Sequence, residues 1–241
     1  MPTANVRVFP DLAALTAAAK QFVLEQATGA IAQRGQFMLA LAGGNTPKPL
    51  YESLVSADTP WSQWHIFWGD ERYVPPDHPD SNAGMAFQAW LNHVPIPKTQ
   101  IHPMPTEDAD PQTAADRYEQ ILRHTFGVRE GEFPSFDLIL LGMGPDGHTA
   151  SLFPHTAALT VSDRLITVGN KDGQPRLTFA VPLINHGRQI LFLVTGANKQ
   201  TALRHILSGT GDPQQYPARL ITGNALWFLD QSAAEGVVEH T

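Results

Sequence analysis

The sequence predicts an α/β fold in which helices cover both faces of a mostly parallel central sheet. Three observations support this: short continuous apolar runs, glycine-containing turns directly after them, and amphipathic segments of helical period after the turns. Continuous apolar runs are typical of strands that are buried on both faces. With 241 residues, the chain is long enough for one large core, and we expect a single domain over residues 1–241.

The first elements illustrate the pattern. Apolar residues between Leu12 and Val23 recur at helical spacing, and Gly35 is placed to end this helix in the left-handed conformation. The apolar run from Phe37 to Ala42 predicts a buried strand. The next helix is expected to begin with Thr46 as N-cap and Pro47 as its first residue.

Further elements are predicted along the chain. Apolar runs mark strands at Phe136 to Leu141, Leu177 to Val181 and Ile190 to Val194, and a helix is predicted around residues 117–126. The proline-rich stretch from Val94 to Pro111 is interpreted as a loop packed on the surface, because apolar residues alternate with its prolines.

Composition excludes several classes of function. The formal net charge of -7 argues against a nucleic-acid binder, although a few local cations in a cleft can still hold a small anion. No stretch reaches the ~20 apolar residues of a membrane span, and the first residues lack the features of a signal peptide. Zero cysteines exclude disulfides, thiolate metal sites and thiol catalysis. We therefore expect a cytoplasmic protein, monomeric or weakly homo-oligomeric, with no nucleic-acid or membrane partner.

A glycine-containing turn, Gly43-Gly44-Asn45-Thr46, lies where a predicted strand ends and a helix begins. Glycines let the backbone approach phosphate oxygens, and the helix N-terminus, Asn45 and Thr46 offer hydrogen bonds. An ordinary strand-to-helix turn with a good cap explains the same residues equally well.

Charged residues follow the short apolar strand that ends at Trp68. Ligands bind beyond the carboxyl ends of strands in open α/β sheets. Asp70 is therefore a candidate to accept hydrogen bonds from sugar hydroxyls, and Arg72 a candidate to bind phosphate or a carbonyl oxygen that gains charge. A surface ion pair of Arg72 with Asp70 or Glu71 is the alternative.

The segment from Gly142 to Thr149 contains a formal G-x-G-x-x-G, the motif of dinucleotide sites. No acidic residue follows at the end of the next predicted strand, so we reject that interpretation. Asp146 precedes His148 by two residues, and its carboxylate can fix the imidazole tautomer and raise its basicity. His148 is the candidate general base, and backbone N–H groups near Gly144 are candidate donors to an oxyanion or phosphate.

Two further cations are candidates for anion binding. Lys199 lies at a second strand-to-helix junction, where an anion would offset its unfavourable interaction with the helix dipole; a solvated surface lysine is the alternative. Arg176 begins a predicted strand with no obvious neutralising neighbour. Metal ligation has little support, because no His-Glu-x-x-His is present and His78 and Asp80 lie in a proline-rich loop.

Together these segments resemble the 6-phosphogluconolactonase family. Three blocks carry the resemblance in family order, with Arg176 and Lys199 behind them: Ala42 to Pro47 with Leu50-Tyr51, Phe67 to Arg72 with Ser81-Asn82, and Leu141 to Pro154. Ala42 departs from the family, in which many members carry Ser. The resemblance implies a three-layer α/β/α, Rossmann-like domain related to glucosamine-6-phosphate deaminase. It also implies hydrolysis of 6-phospho-D-glucono-1,5-lactone in the oxidative pentose phosphate pathway, without a required cofactor.

The resulting hypothesis is a histidine-activated water that opens a phosphorylated sugar lactone. The proposed catalytic residues are His148, Asp146 and Arg72, and the proposed substrate-binding residues are Gly43, Gly44, Asn45, Thr46, Asp70, Arg72, Gly144, Arg176 and Lys199.

Two alternatives remain, an amino-sugar-phosphate deaminase or isomerase and a non-catalytic sugar-phosphate sensor. The deaminases place a catalytic Glu where this chain has Phe153 and a Tyr where it has Arg72. A sensor fused to a DNA-binding module is disfavoured because the first predicted strand begins within the opening residues.

Overall fold

The structure, a computed structural model, describes residues 5–237. These residues contain ten strands: β1 (Asn5–Phe9), β2 (Phe37–Leu41), β3 (Trp64–Trp68), β4 (Asp70–Arg72), β5 (Ile101–His102), β6 (Leu138–Leu141), β7 (Ile166–Lys171), β8 (Gln174–Phe179), β9 (Ile190–Val194) and β10 (Ala225–Asp230). Seven α-helices accompany them: α1 (Leu12–Arg34), α2 (Lys48–Leu54), α3 (Asn82–Ala89), α4 (Pro111–Phe126), α5 (Val181–Asn185), α6 (Gln200–Leu207) and α7 (Gln231–Ala234).

Seven strands form one parallel sheet in the order β1-β10-β9-β6-β2-β3-β5. All residues of the central strands β2, β6 and β9 are buried, as their continuous apolar sequences require. The predicted parallel sheet is therefore confirmed.

Helices cover both faces of this sheet. Adjacent residues of a strand point to opposite faces. Trp68 stacks with Phe87 of α3, at 6.2 Å between ring centroids, whereas Phe67 contacts Phe126 of α4 at 5.6 Å. Because α3 and α4 thus lie on opposite sides of β3, the sheet is the middle of three layers, as predicted.

A second, antiparallel sheet in the order β4-β8-β7 was not predicted. Its strand β4 follows β3 after a single residue, Gly69. The charged segment that follows β3 is therefore itself a strand, whose side chains alternate between two faces.

Several predicted boundaries need correction. Thr46 is not an N-cap: α2 begins at Lys48 after Pro47, and no side chain caps it. The predicted strand from Leu177 to Val181 lies at 174–179 instead, and Val181 begins α5. Within the proline-rich stretch, residues 101–102 form the edge strand β5, because they pair with β3. Gly35 does end α1 in the left-handed conformation, with φ 76°.

The turns that follow β2, β3, β6 and β9 all lie at the carboxyl ends of the parallel strands. From β2 the chain continues to β3 on one side, whereas β6 connects to its other neighbour, β9. The change of direction between β2 and β6 is a topological switch point, where α/β sheets open a crevice at the carboxyl ends of their strands. All four predicted motifs follow strands β2, β3, β6 and β9, so they meet at this crevice.

Candidate active site

A cleft of about 380 Å³ occupies the switch point. Nearly every sequence-predicted site residue lines it: Gly43, Gly44, Asn45, Thr46, Asp70, Arg72, Gly144, His148, Arg176 and Lys199. Asp146 is absent from the lining but is hydrogen-bonded to His148. The glycine turn after β2 and the histidine turn after β6 therefore face the same space.

The turn at residues 43–46 is fixed from two sides. The buried hydroxyl of Tyr51 in α2 donates to the Ala42 carbonyl at 2.7 Å and accepts from the Ala42 N–H at 3.0 Å. The hydroxyls of Thr46 and Thr195 share a hydrogen bond of 2.9 Å, which joins this turn to the one after β9. Gly44 has φ 95°, a conformation that favours glycine. Within residues 5–237, the N–H groups of Gly43 and Gly44 donate to no other group, so they are free for an anion.

His148 and Asp146 form a hydrogen-bonded pair. Nδ1 of His148 lies 2.6 Å from Oδ1 of Asp146, and the same carboxylate oxygen accepts the backbone N–H of His148 at 3.1 Å. A carboxylate at Nδ1 favours the tautomer that carries its proton there, so Nε2 keeps a lone pair for proton abstraction. The pair thus has the geometry of a general base and the carboxylate that orients it.

Gly144 is essential to this geometry. A Cβ added to it would lie 2.1 Å from Nδ1 of His148 and 2.6 Å from Oδ1 of Asp146. Its N–H donates to the His148 carbonyl at 2.9 Å, and the Gly147 N–H donates to the Gly144 carbonyl at 3.0 Å. The N–H of Gly144 itself is therefore committed to the turn, which removes it from the candidate donors predicted near Gly144, and Gly144 leaves room for the pair.

The charge of Asp146 is stabilised by its neighbour. Burial opposes that charge, but the hydrogen bonds and charge of His148 outweigh it and lower the pKa of Asp146 to about 2. Asp146 consequently remains a carboxylate throughout the neutral and mildly acidic range.

Arg72 and Arg176 form a cationic wall. They are directly opposite each other on the antiparallel strands β4 and β8. Burial, and then the charge of Arg72, lower the pKa of Arg176, and its buried Nε has no hydrogen-bond partner within residues 5–237. Like charges opposite each other are destabilising unless an anion offsets them. This wall therefore favours an anionic ligand.

The alternative of a surface ion pair for Arg72 is wrong for the described residues. Arg72 forms none there, and its Nη1 donates to the Asp80 carbonyl at 2.6 Å. Asp70 is largely buried and accepts from the Ser151 hydroxyl at 2.7 Å. Lys199 also lines the cleft, where burial lowers its pKa and the charge of Asp146 opposes that shift.

Among the cleft residues that the sequence analysis did not assign to the site are Asn82, Phe153 and Lys171. The Phe153 ring packs 4.6 Å from the His148 ring, and the ammonium of Lys171 lies 5.7 Å from the Phe153 centroid. Lys171 reaches the cleft through the β7–β8 hairpin, for which Asp172-Gly173 was an available turn signal. No sequence signal placed that hairpin over the cleft.

Comparison with known proteins agrees with this architecture. The sequence profile of the glucosamine-6-phosphate isomerases/6-phosphogluconolactonase family matches residues 10–228. The chain belongs to this family. A 6-phosphogluconolactonase of Synechocystis sp. is 60% identical over 228 residues, which cover 90% of this chain and 95% of the relative.

Solved structures show the same relationship. A 6-phosphogluconolactonase from Trypanosoma cruzi superposes with a TM-score of 0.86 at 29% identity, over 98% of this chain and 97% of the other. A monomeric glucosamine-6-phosphate deaminase superposes with a TM-score of 0.80 at 20% identity, covering 96% of this chain and 99% of that one, which supports the fold alone. The predicted family, its enzyme class and the fold relationship to the deaminases are therefore confirmed.

Within residues 5–237, no helix is both long and apolar enough to cross a membrane.

Proposed function

We propose that the protein hydrolyses 6-phospho-D-glucono-1,5-lactone to 6-phospho-D-gluconate, using a water activated by His148. The observation that carries this proposal is the His148–Asp146 pair, which faces a cleft lined by free glycine N–H groups and by cations. The family's relatives named 6-phosphogluconolactonases support the choice of substrate.

The proposed reaction needs few groups, because a lactone carbonyl is already electrophilic. Nε2 of His148 takes a proton from water while the water oxygen attacks C1, and the carbonyl oxygen becomes an oxyanion. The imidazolium then returns the proton to the ring oxygen O5 as the C1–O5 bond breaks. Asp146 keeps the imidazole oriented and stabilises its charged form.

The phosphate is proposed to anchor the substrate. Gly43, Gly44, Asn45 and Thr46 offer donors on one side, and Lys199 and Arg176 offer positive charge around them. Arg72 is left as the side-chain candidate for the oxyanion or the phosphate, since the Gly144 N–H is already occupied. Remote phosphate binding holds the reacting carbon at the base.

One side of the imidazole is occupied by an aromatic ring. Phe153 packs against His148 at the position where the related deaminases carry a catalytic Glu. The site therefore supplies a water-activating base without the second acid of those enzymes.

A cytoplasmic location and a monomeric or weakly homo-oligomeric state remain predictions from the sequence.

The proposal is tested by generating the phosphorylated 1,5-lactone in situ and following its loss above the spontaneous rate, with glucosamine 6-phosphate in parallel. We expect lactone opening and no ammonia release. Ammonia release without lactone opening would instead establish a deaminase.

His148→Ala tests the assigned base. We expect kcat to fall by about 10²–10⁴, because the attacking water loses the group that takes its proton. The exposed His93→Ala is the control. Turnover by His148→Ala near that of the control would refute the assignment.

A further inference from the structure

Asn82 joins the two walls of the cleft. Its side chain is buried, with the residue 1% exposed, and its Nδ2 donates to the Asp70 carbonyl at 2.9 Å. Its Oδ1 has no hydrogen-bond partner within residues 5–237 and would lie 1.8 Å from a Cβ at Gly43. One amide therefore spans from strand β4 to the glycine turn after β2.

Glu71 fixes Asn82 from the other side of β4. Its Oε1 accepts the backbone N–H groups of Arg72, at 2.8 Å, and Asn82, at 2.7 Å, and its Oε2 accepts that of Ala83 at 2.7 Å. Glu71 is 2% exposed, and burial raises its pKa while these N–H groups lower it. The first two backbone N–H groups of α3 thus donate to the buried carboxylate of Glu71, and a carboxylate is a favourable partner for a helix N-terminus.

Strand geometry explains why Glu71 is not itself a cleft residue. Successive side chains of β4 alternate, so Asp70 and Arg72 share the face that lines the cleft, and Glu71 points away from it. Glu71 nevertheless holds the backbone of Arg72 and, through α3, the side chain of Asn82.

We propose that Glu71 and Asn82 are positioning residues that fix the spacing between the glycine turn and Arg72, and thereby determine affinity for the phosphorylated substrate. This proposal rests on the proposed function. It assigns Asn82 to substrate affinity rather than to the chemical step, because no reacting atom needs its amide.

A double-mutant cycle at the contact between Gly43 and Asn82 gives the sharpest test. Gly43→Ala should displace the turn because Asn82 occupies the space of the new Cβ, and Asn82→Ala removes the obstructing amide. Each single variant should raise the Kd for 6-phosphogluconate, measured by calorimetry, by about tenfold. The double variant should bind more tightly than Gly43→Ala alone.

Glu71→Gln tests the second half of the proposal. The amide keeps the shape but replaces one acceptor oxygen with a donor that faces backbone N–H groups, so KM should rise about tenfold while kcat changes less than about threefold. Glu25→Gln and Asn92→Ala, both at exposed positions, are matched controls. If Glu71→Gln fails to fold, the cycle at Gly43 and Asn82 decides.

An additive cycle, or a Glu71→Gln variant with unchanged KM, would overturn the positioning proposal while the protein remained an active lactonase. Failure of the proposed function is a separate result: the unmodified protein would then not open the lactone. In that case the double-mutant cycle is measured with inorganic phosphate as the probe. If the effects of the two single variants on Kd then simply add in the double variant, the positioning role is again contradicted.

Discussion

At the scale of single residues, the site depends on where side chains are missing. Gly144 and Gly43 each lie so close to a functional side chain that a methyl group would collide with it. Gly44 instead needs glycine for its positive φ. Similar glycines in the sequence therefore serve different physical purposes.

Gly144→Ala should reduce kcat by about 10²-fold or more, close to the loss in His148→Ala, because the new Cβ displaces the imidazole from Asp146. Steady-state kinetics on the phosphorylated lactone measure this. Gly29→Ala is the matched control: it lies within α1 with no atom near the added Cβ, and should retain activity and gain about 0.5–1 kcal/mol of stability. Full activity in Gly144→Ala would show that the pair tolerates displacement.

At the scale of elements, two histidines with lowered pKa values lie next to each other at the edge of the parallel sheet, outside the cleft. His102 of β5 stacks on Phe67 of β3 at 4.5 Å, and its ring lies 5.9 Å from that of His65. Burial, and then the neighbouring His65, lower the pKa of His102 to about 4. Burial lowers the pKa of His65 as well.

This contact predicts a loss of stability in mild acid. Between pH 6.5 and about 4 the unfolded chain binds a proton at His102 that the folded protein does not, so the free energy of unfolding falls as pH falls through that range. Urea denaturation at a series of pH values measures the slope. His102→Phe should reduce the slope of the free energy of unfolding against pH, whereas the exposed His93→Phe should leave it unchanged. Equal slopes in the unmodified protein and both variants would contradict the prediction.

At the scale of the whole molecule, an acidic protein presents a cationic cleft. The net charge is -7, yet Arg72, Lys171, Arg176 and Lys199 all line one cavity. Local charge, not net charge, governs the binding of a small anion in a cleft.

Binding of a phosphorylated ligand should therefore stabilise the fold. At 100 times its Kd, 6-phosphogluconate should raise Tm by about 5 °C or more, whereas gluconate at the same concentration should not. Differential scanning fluorimetry measures both shifts, and added salt should reduce the first. Equal shifts with the two ligands would argue against a phosphate site.

The sequence by itself determined the parallel α/β fold, the glycine turns at strand ends and the neighbouring Asp146 and His148. These features are local: periodicity, turn residues and a spacing of two carry their own signal. Their meeting at one crevice also follows, because the carboxyl ends of parallel strands share one edge of a sheet.

Only the tertiary structure decided the rest of the cleft. Its key contacts join residues that are far apart in the chain. They are the cross-strand pair of Arg72 and Arg176, the hydrogen bond between Thr46 and Thr195, and the close approach of Asn82 to Gly43. Such contacts depend on strand register and on the packing of one element against another, which no local pattern of residue types encodes.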